Sequence, residues 1–185
     1  DTRGLDHVPE RGPALIVCNH VSFMDALIVG GCVRRPIRFV MYYKIFNIPL
    51  LSFIFRTAKA IPIAGHKEDP ALLERAFAQI EATLREGHVV CVFPEGGLTS
   101  DGEIAAFRPG VERILARYPV VVVPSALRGL WGSVFSRRDS ALHRARLPRR
   151  FRARIEFVAG AAVPAEQASA ALLEARVREL RGDRA

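Results

Sequence analysis

The chain has 185 residues, half of them hydrophobic, and a formal net charge of +8 that comes mostly from arginine. That length suits one domain with one sizeable core, and that hydrophobic share excludes an intrinsically disordered chain. No apolar run reaches the roughly 20 residues that a bilayer-spanning helix needs, and Cys18, Cys32 and Cys91 match neither a disulfide framework nor a zinc motif.

The opening Asp1-Thr2-Arg3-Gly4 is polar and lacks an initiator Met, so the expectation is a single domain over 1–185 cut from a longer protein. Residues 15–18 read as a buried strand, and 22–30 as a helix that Ser22 caps. A second strand is predicted at 37–41. The stretch 44–56 is apolar and aromatic, but Pro49 would kink or stop a regular helix inside it. A short strand follows at 60–63. Asp69-Pro70 is a helix start, with Asp69 as N-cap and Pro70 at the first position. Leu73, Phe77, Ile80 and Leu84 then recur at helical spacing until Gly87. Residues 88–93 read as a strand ending at Pro94-Glu95-Gly96-Gly97, 109–117 as a short helix and 120–123 as a central strand. The segment 128–150 is irregular and basic, 154–158 alternates like a strand, and 168–180 reads as an amphipathic helix. Apolar runs alternating with helical patterns predict an α/β domain.

Two clusters carry candidate chemistry. The first is Asn19-His20-Val21-Ser22-Phe23-Met24-Asp25. On a regular helix the spacing of His20 and Asp25 is roughly 500° of rotation, so the side chains would diverge by about 140°. They meet only if the chain is irregular at His20 and helical afterwards. An imidazole held by a carboxylate is a general base with a fixed tautomer. The alternative is a helix-capping His20 with Asp25 as a first-turn acid. Ser22 suits a cap better than a nucleophile, and His66 and His88 stand in no metal-ligand pattern. The second cluster is Phe93-Pro94-Glu95-Gly96-Gly97. Proline ends the ladder and glycine lets backbone approach a ligand, although such a sequence also makes an ordinary turn.

The two clusters together resemble the glycerolipid acyltransferase family. Asn19 to Asp25 match its first motif, Phe93-Pro94-Glu95-Gly96 its third, and Val122-Val123-Pro124 its fourth. The resemblance implies a mixed, largely parallel central sheet flanked by helices. It implies a fatty acyl group moved from an acyl thioester, on coenzyme A or acyl carrier protein, to the free hydroxyl of a lysophospholipid. His20 would be the base and Asp25 its orienting acid, with Glu95, Gly96 and Gly97 in the acceptor site. No metal or other cofactor is implied. In the family's second motif an arginine usually binds the acceptor phosphate. Here Gly65 stands at that place, with His66-Lys67 following, and Gly97 replaces the usual Thr or Arg after the third motif. Lys67 or Arg56 could substitute. The chain also looks similar to acyltransferase domains fused to a lysophospholipid transporter or an acyl-carrier-protein synthetase. That implies lysophosphatidylethanolamine as acceptor at the cytoplasmic face of a bacterial inner membrane, with lysophosphatidic acid as the alternative.

Charge alone points to nucleic acid, a membrane surface or a phosphorylated substrate. A nucleic-acid module lacks support from any aromatic-basic or helix-turn-helix pattern. Arg137, Arg138, Arg144, Arg146, Arg149 and Arg150 could hold the domain on an anionic leaflet, each worth about 1 kcal/mol. Phe39, Tyr42, Tyr43, Phe46 and Phe53, with Leu50, Leu51 and Phe55, are candidates for shallow insertion or for lining an acyl tunnel; core packing is the alternative. A non-catalytic lipid-binding domain would keep the apolar pocket without needing His20 and Asp25 as a pair.

Overall fold

Two uniformly apolar runs, Ala14–Cys18 (β2) and Val89–Val92 (β5), are buried at every position and lie side by side in the interior of one sheet. The computed structural model describes residues 1–22, 24–131 and 154–182, and the backbone alone at 49–51. The other strands are Thr2–Arg3 (β1), Ile37–Tyr42 (β3), Ile61–Ile63 (β4), Val122–Arg128 (β6) and Glu156–Ala159 (β7). The order across the seven-stranded sheet is β1-β7-β6-β2-β5-β3-β4. All neighbours are parallel except β6 and β7, so the sheet is mixed and largely parallel as expected.

Parallel strands are buried on both faces and need cover on both. Helices Pro70–Arg85 (α3), Gly110–Arg117 (α4) and Ala170–Arg181 (α5) cover one face through Phe77, Ile80, Leu84, Ile114 and Leu173. Helix Asp25–Cys32 (α1) covers the other through Ala26 and Val29. The strand period divides β2 between them: Leu15 and Val17 face the first cluster, Ile16 and Cys18 the second. Asp69 caps α3 through the Leu72 N–H at 2.8 Å, and Gly87 ends it at φ +83°, both as predicted.

Three expectations change, and one strand is unexpected. Helix α1 starts at Asp25 rather than Ser22, so Asn19 to Ser22, and Met24, lie outside it. Pro49 does not interrupt a helix but opens one: a 3-10 turn over Tyr43–Asn47 leads into Pro49–Thr57 (α2), and proline is at home in a first turn. Strand β6 runs on to Arg128 because antiparallel β7 pairs with Ser125 to Arg128. Strand β1 has no hydrophobic signal; Thr2 and Arg3 are exposed edge residues paired with Phe157 and Val158. Cys18 and Cys91 are buried free thiols, and burial pushes both well above the usual thiol range.

Candidate active site

The register of β2 on β5 decides where the two motifs meet. Ala14 pairs with Val89 and Val17 with Val92, a constant offset that continues past the carboxyl ends of both strands. It brings His20 opposite Glu95, 75 residues away, and the His20 N–H donates to Glu95 Oε1 at 2.7 Å. Glu95 Oε2 accepts from the Ala105 N–H at 2.8 Å. Each carboxylate oxygen thus takes one backbone donor, and Glu95 braces the His20 loop against the 102–108 segment. It is 6% exposed, and that burial raises its carboxyl above the ordinary value, against the pull of the Ala105 and His20 donors.

Non-helical chain from Asn19 to Ser22 achieves what a helix could not. Asp25, fully buried at the first position of α1, turns its Oδ2 back toward the loop. That atom lies 2.8 Å from His20 Nδ1 and accepts from the Val21 and Ser22 N–H groups at 2.7 and 3.0 Å. The carboxylate therefore fixes the loop and the imidazole at once. With Nδ1–H donating to Asp25, the neutral ring carries its lone pair on Nε2, which has no partner among the described residues. The His20 side chain is 21% exposed, enough for a substrate to reach it. Phe93 stacks on the imidazole at 4.3 Å between centroids and 16° between planes, fixing the ring's tilt. Asn19 supports the turn from below: its side chain donates to Leu127 O at 3.1 Å and accepts from Leu127 N–H at 2.8 Å, as one more strand residue would. The Thr99 N–H donates to His20 O at 3.0 Å.

Other candidate residues are placed differently. Gly96 sits at φ +73° in the turn after Pro94, and Gly97 faces open space. Gly65 lies in the exposed turn after β4, with Lys67 beside it. This is the same sheet edge as His20, but β4 is three places from β2, roughly 14 Å at the usual strand spacing. Arg56 is near the end of α2, hydrogen-bonded to Ser52 at 3.1 Å, where the chain leads back to the start of β4; the structure does not bring it to His20.

The aromatic candidates split. Phe39 is a correction: it is 8% exposed and packs in the core under α1, because it points inward from β3. Phe46 is half-buried against Phe55, itself buried, at 5.8 Å between centroids. Tyr42 and Tyr43 donate to Glu68, which also pairs with Lys44 at 2.7 Å. Phe53, at 72% exposed, projects into solvent. Arg137, Arg138, Arg144, Arg146, Arg149 and Arg150 lie outside the described residues, as does Phe23.

Sequence reasoning gave no role to Asn19, Phe93 or Thr99. A signal existed for the first two, an Asn and an aromatic residue at the ends of adjacent strands. Among the described residues no group of three His, Cys, Asp or Glu side chains is placed to hold a metal ion.

A family model described as Acyltransferase matches residues 1–128. The chain is 29% identical over 127 residues to a chloroplastic 1-acyl-sn-glycerol-3-phosphate acyltransferase of Arabidopsis thaliana, covering 68% of this chain and 35% of that protein. It is 27% identical over 127 residues to a 1-acyl-sn-glycerol-3-phosphate acyltransferase of Pseudomonas aeruginosa, covering 68% and 48%. A lyso-ornithine lipid O-acyltransferase of Rhodobacter capsulatus is 26% identical over 130 residues, covering 65% and 45%. The chain thus spans between 35% and 48% of the length of these relatives. The crystal structure of the 1-acyl-sn-glycerophosphate acyltransferase of Thermotoga maritima shares the fold at a TM-score of 0.74 and 20% identity, over 96% of this chain and 68% of that one.

Proposed function

Because this chain belongs to the acyltransferase family, we propose that it moves a fatty acyl group from a thioester, on coenzyme A or acyl carrier protein, to the free glycerol hydroxyl of a lysophospholipid. One observation carries the reading: His20 is held at Nδ1 by buried Asp25 and across its face by Phe93, with a partly exposed side chain whose Nε2 has no partner among the described residues. Nε2 takes the proton of the hydroxyl as its oxygen bonds to the thioester carbonyl carbon. Asp25 stabilises the imidazolium that forms. Backbone N–H groups of the turns beside His20 are the donors for the charge developing on the carbonyl oxygen. The carbon–sulfur bond then breaks, and the thiolate leaves with the imidazolium proton; a thiol near pKa 8.5 needs little further help. The test is acceptor-dependent thiol release, with the diacyl product identified by mass spectrometry. Thiol release that ignores the lysolipid would sink the transferase reading.

For the acceptor, the reading is a head-grouped lysophospholipid, lysophosphatidylethanolamine in the first instance. Gly65 and Gly97 offer no charge to a dianionic phosphate. An open cleft next to the His20 turn is lined by Leu98, Thr99, Asp101, Ile104 and Ala105. Donors from the Glu103 N–H and the Thr99 hydroxyl hold the Asp101 carboxyl below its usual range, so a carboxylate is available there to an ammonium group. Lysophosphatidic acid is the second reading, favoured by the names of the Arabidopsis thaliana and Pseudomonas aeruginosa relatives. The expected result is a higher kcat/KM for lysophosphatidylethanolamine at matched surface concentration. A tenfold preference for lysophosphatidic acid, about 1.4 kcal/mol in transition-state binding, would reverse the assignment. Gly65 has open space where a Cβ would stand, so Gly65→Arg is accommodated and is expected to move the ratio toward lysophosphatidic acid.

The enzyme's place in this reading is the cytoplasmic face of a bacterial inner membrane. No helix among the described residues is long and apolar enough to cross a membrane. Ile48, Phe53 and Ile54 are 49%, 72% and 38% exposed on and before α2, with Lys44, Arg56 and Lys59 also exposed nearby. Apolar side chains rimmed by cations suit shallow insertion into an anionic monolayer. Phe53→Ser is expected to weaken binding to anionic vesicles at every salt concentration. Gln at Arg144, Arg146, Arg149 and Arg150 is expected to weaken it mainly at low salt, since exposed charges are screened within about 8–10 Å at physiological strength. Equal binding of both variants and the wild type in co-sedimentation would remove α2 and the basic segment from the membrane contact.

A further inference from the structure

Segment 102–108 is pinned on two sides. The Ala105 N–H donates to Glu95 Oε2 at 2.8 Å, the Arg108 N–H to Pro94 O at 3.0 Å, and the Phe107 N–H to Glu174 Oε2 at 2.9 Å. From α5, Arg178 donates to Ile104 O at 2.5 Å and Arg181 to Gly102 O at 2.8 Å. The backbone of Arg108 is therefore fixed against the turn that carries Glu95. Its side chain lies across Gly96: a Cβ on residue 96 would stand 2.5 Å from the guanidinium carbon and 2.8 Å from Nη1. Glycine, at φ +73°, lets the guanidinium lie directly over the turn backbone.

Arginines on the neighbouring helices α4 and α5 are paired. Arg113 and Arg117 pair with Glu74, Arg178 with Glu174, and Arg181 with Glu103. Arg108 is exposed, and its guanidinium has no hydrogen-bonding or ionic partner among the described residues. Gly96 follows Glu95, which accepts the His20 N–H, and Phe93 of the same turn stacks on the imidazole. The guanidinium, unpaired among the described residues and on a fixed backbone, thus lies against the turn whose Glu95 and Phe93 hold His20.

We propose that Arg108 is the phosphate-binding residue of the acceptor site, its guanidinium holding the lipid phosphate while the free hydroxyl faces His20 Nε2. The proposal rests on the lysophospholipid reading above and adds the residue that recognises the anion. A guanidinium presents paired N–H donors to two phosphate oxygens, which orients the glycerol as well as binding it. One guanidinium, with no second unpaired cation beside it among the described residues, matches the single charge of a phosphodiester better than a dianion.

The experiment compares wild type, Arg108→Ala and Arg108→Lys with acceptors that have and lack phosphate, lysophosphatidylethanolamine and monoacylglycerol. Donors that have and lack the nucleotide phosphates, acyl-coenzyme A and acyl-pantetheine, separate the two sources of phosphate. Arg108→Ala is expected to raise the KM for lysophosphatidylethanolamine at least tenfold. The kcat/KM ratio of that acceptor over monoacylglycerol should fall by a similar factor, with KM for acyl-coenzyme A within twofold of wild type. Arg108→Lys should fall between, keeping the charge but not the fork. If instead KM for acyl-coenzyme A rises and the effect vanishes with acyl-pantetheine, the anion belongs to the donor and the proposal is wrong. An equal loss of kcat with every substrate pair, or no change at all, also overturns it. Binding of sn-glycerol 3-phosphate, followed by NMR titration in wild type and Arg108→Ala, needs no turnover. A wild-type protein that binds it through Arg108 but transfers no acyl group would refute the function and leave the residue's role standing. A titration that Arg108→Ala leaves unaltered would refute the role alone.

Discussion

Replacing His20 by alanine is expected to lower acyl transfer by between about a hundredfold and ten-thousandfold, the range for removal of a positioned general base. The change should fall in kcat, because Nε2 meets the acceptor hydroxyl as the proton moves. The fold should survive, since the side chain is partly exposed and its backbone bonds, His20 N–H to Glu95 and His20 O to Thr99 N–H, do not depend on the imidazole. Asp25→Asn should cost less in rate: the imidazole stays, but the charge opposite the imidazolium is lost. It should also cost stability, because Asp25 is fully buried and its Oδ2 meets three groups; an amide must keep its oxygen toward Val21 and Ser22 while offering His20 Nδ1 no carboxylate. Steady-state turnover and circular dichroism on the same samples decide the matter. A folded His20→Ala protein with near-normal turnover would end the general-base assignment.

Glu95→Ala is expected to be the most damaging change that leaves His20 and Asp25 untouched. It strips the acceptor from two backbone donors, His20 N–H and Ala105 N–H, at a site 6% exposed. Each buried donor left unmet costs about 1–3 kcal/mol, so a loss of about 2 kcal/mol or more in unfolding free energy is expected. Turnover should drop with it, because the loop carrying His20 loses its brace. Glu95→Gln keeps one acceptor oxygen and should lose less. The pH dependence has a definite sign. Burial raises the folded-state carboxyl of Glu95 above its ordinary 4.5. A raised acid contributes stability that is fully present below about the unfolded value and lost as pH rises through the folded value. Wild type should therefore lose stability relative to Glu95→Gln on going from pH 4.5 toward neutrality. Urea unfolding at several pH values measures this; a difference that grows in favour of wild type over that range would show that the two backbone bonds outweigh burial.

Much of this was legible in the residues. Periodicity marked the strands and helices because one-sided burial imposes periods of 2 and 3.6 on apolar residues. Asp69-Pro70 and Gly87 marked the ends of α3 through local chemistry alone. The His20–Asp25 spacing already required an irregular turn, since a helix would part the two side chains, and the structure meets that demand by starting α1 at Asp25. What composition could not decide was orientation. Phe39 and Phe53 are equally apolar, yet one lies under α1 and the other in solvent, because strand register and helix placement set which way each points.

His20 and Glu95 are 75 residues apart, and no local rule joins them; the parallel register of β2 on β5 does, through backbone hydrogen bonds whose partners the sequence does not name. Likewise Arg108 is one arginine among many in a basic chain until a pinned segment lays it over the glycine that follows Glu95. The sequence by itself determined the chemical groups, the class of fold and the local geometry of the first motif, because those follow from side-chain type and short-range spacing. Only the tertiary structure decided which loops share the sheet edge, what Glu95 binds and which arginine lies over Gly96, because these depend on strand order and register over long separations.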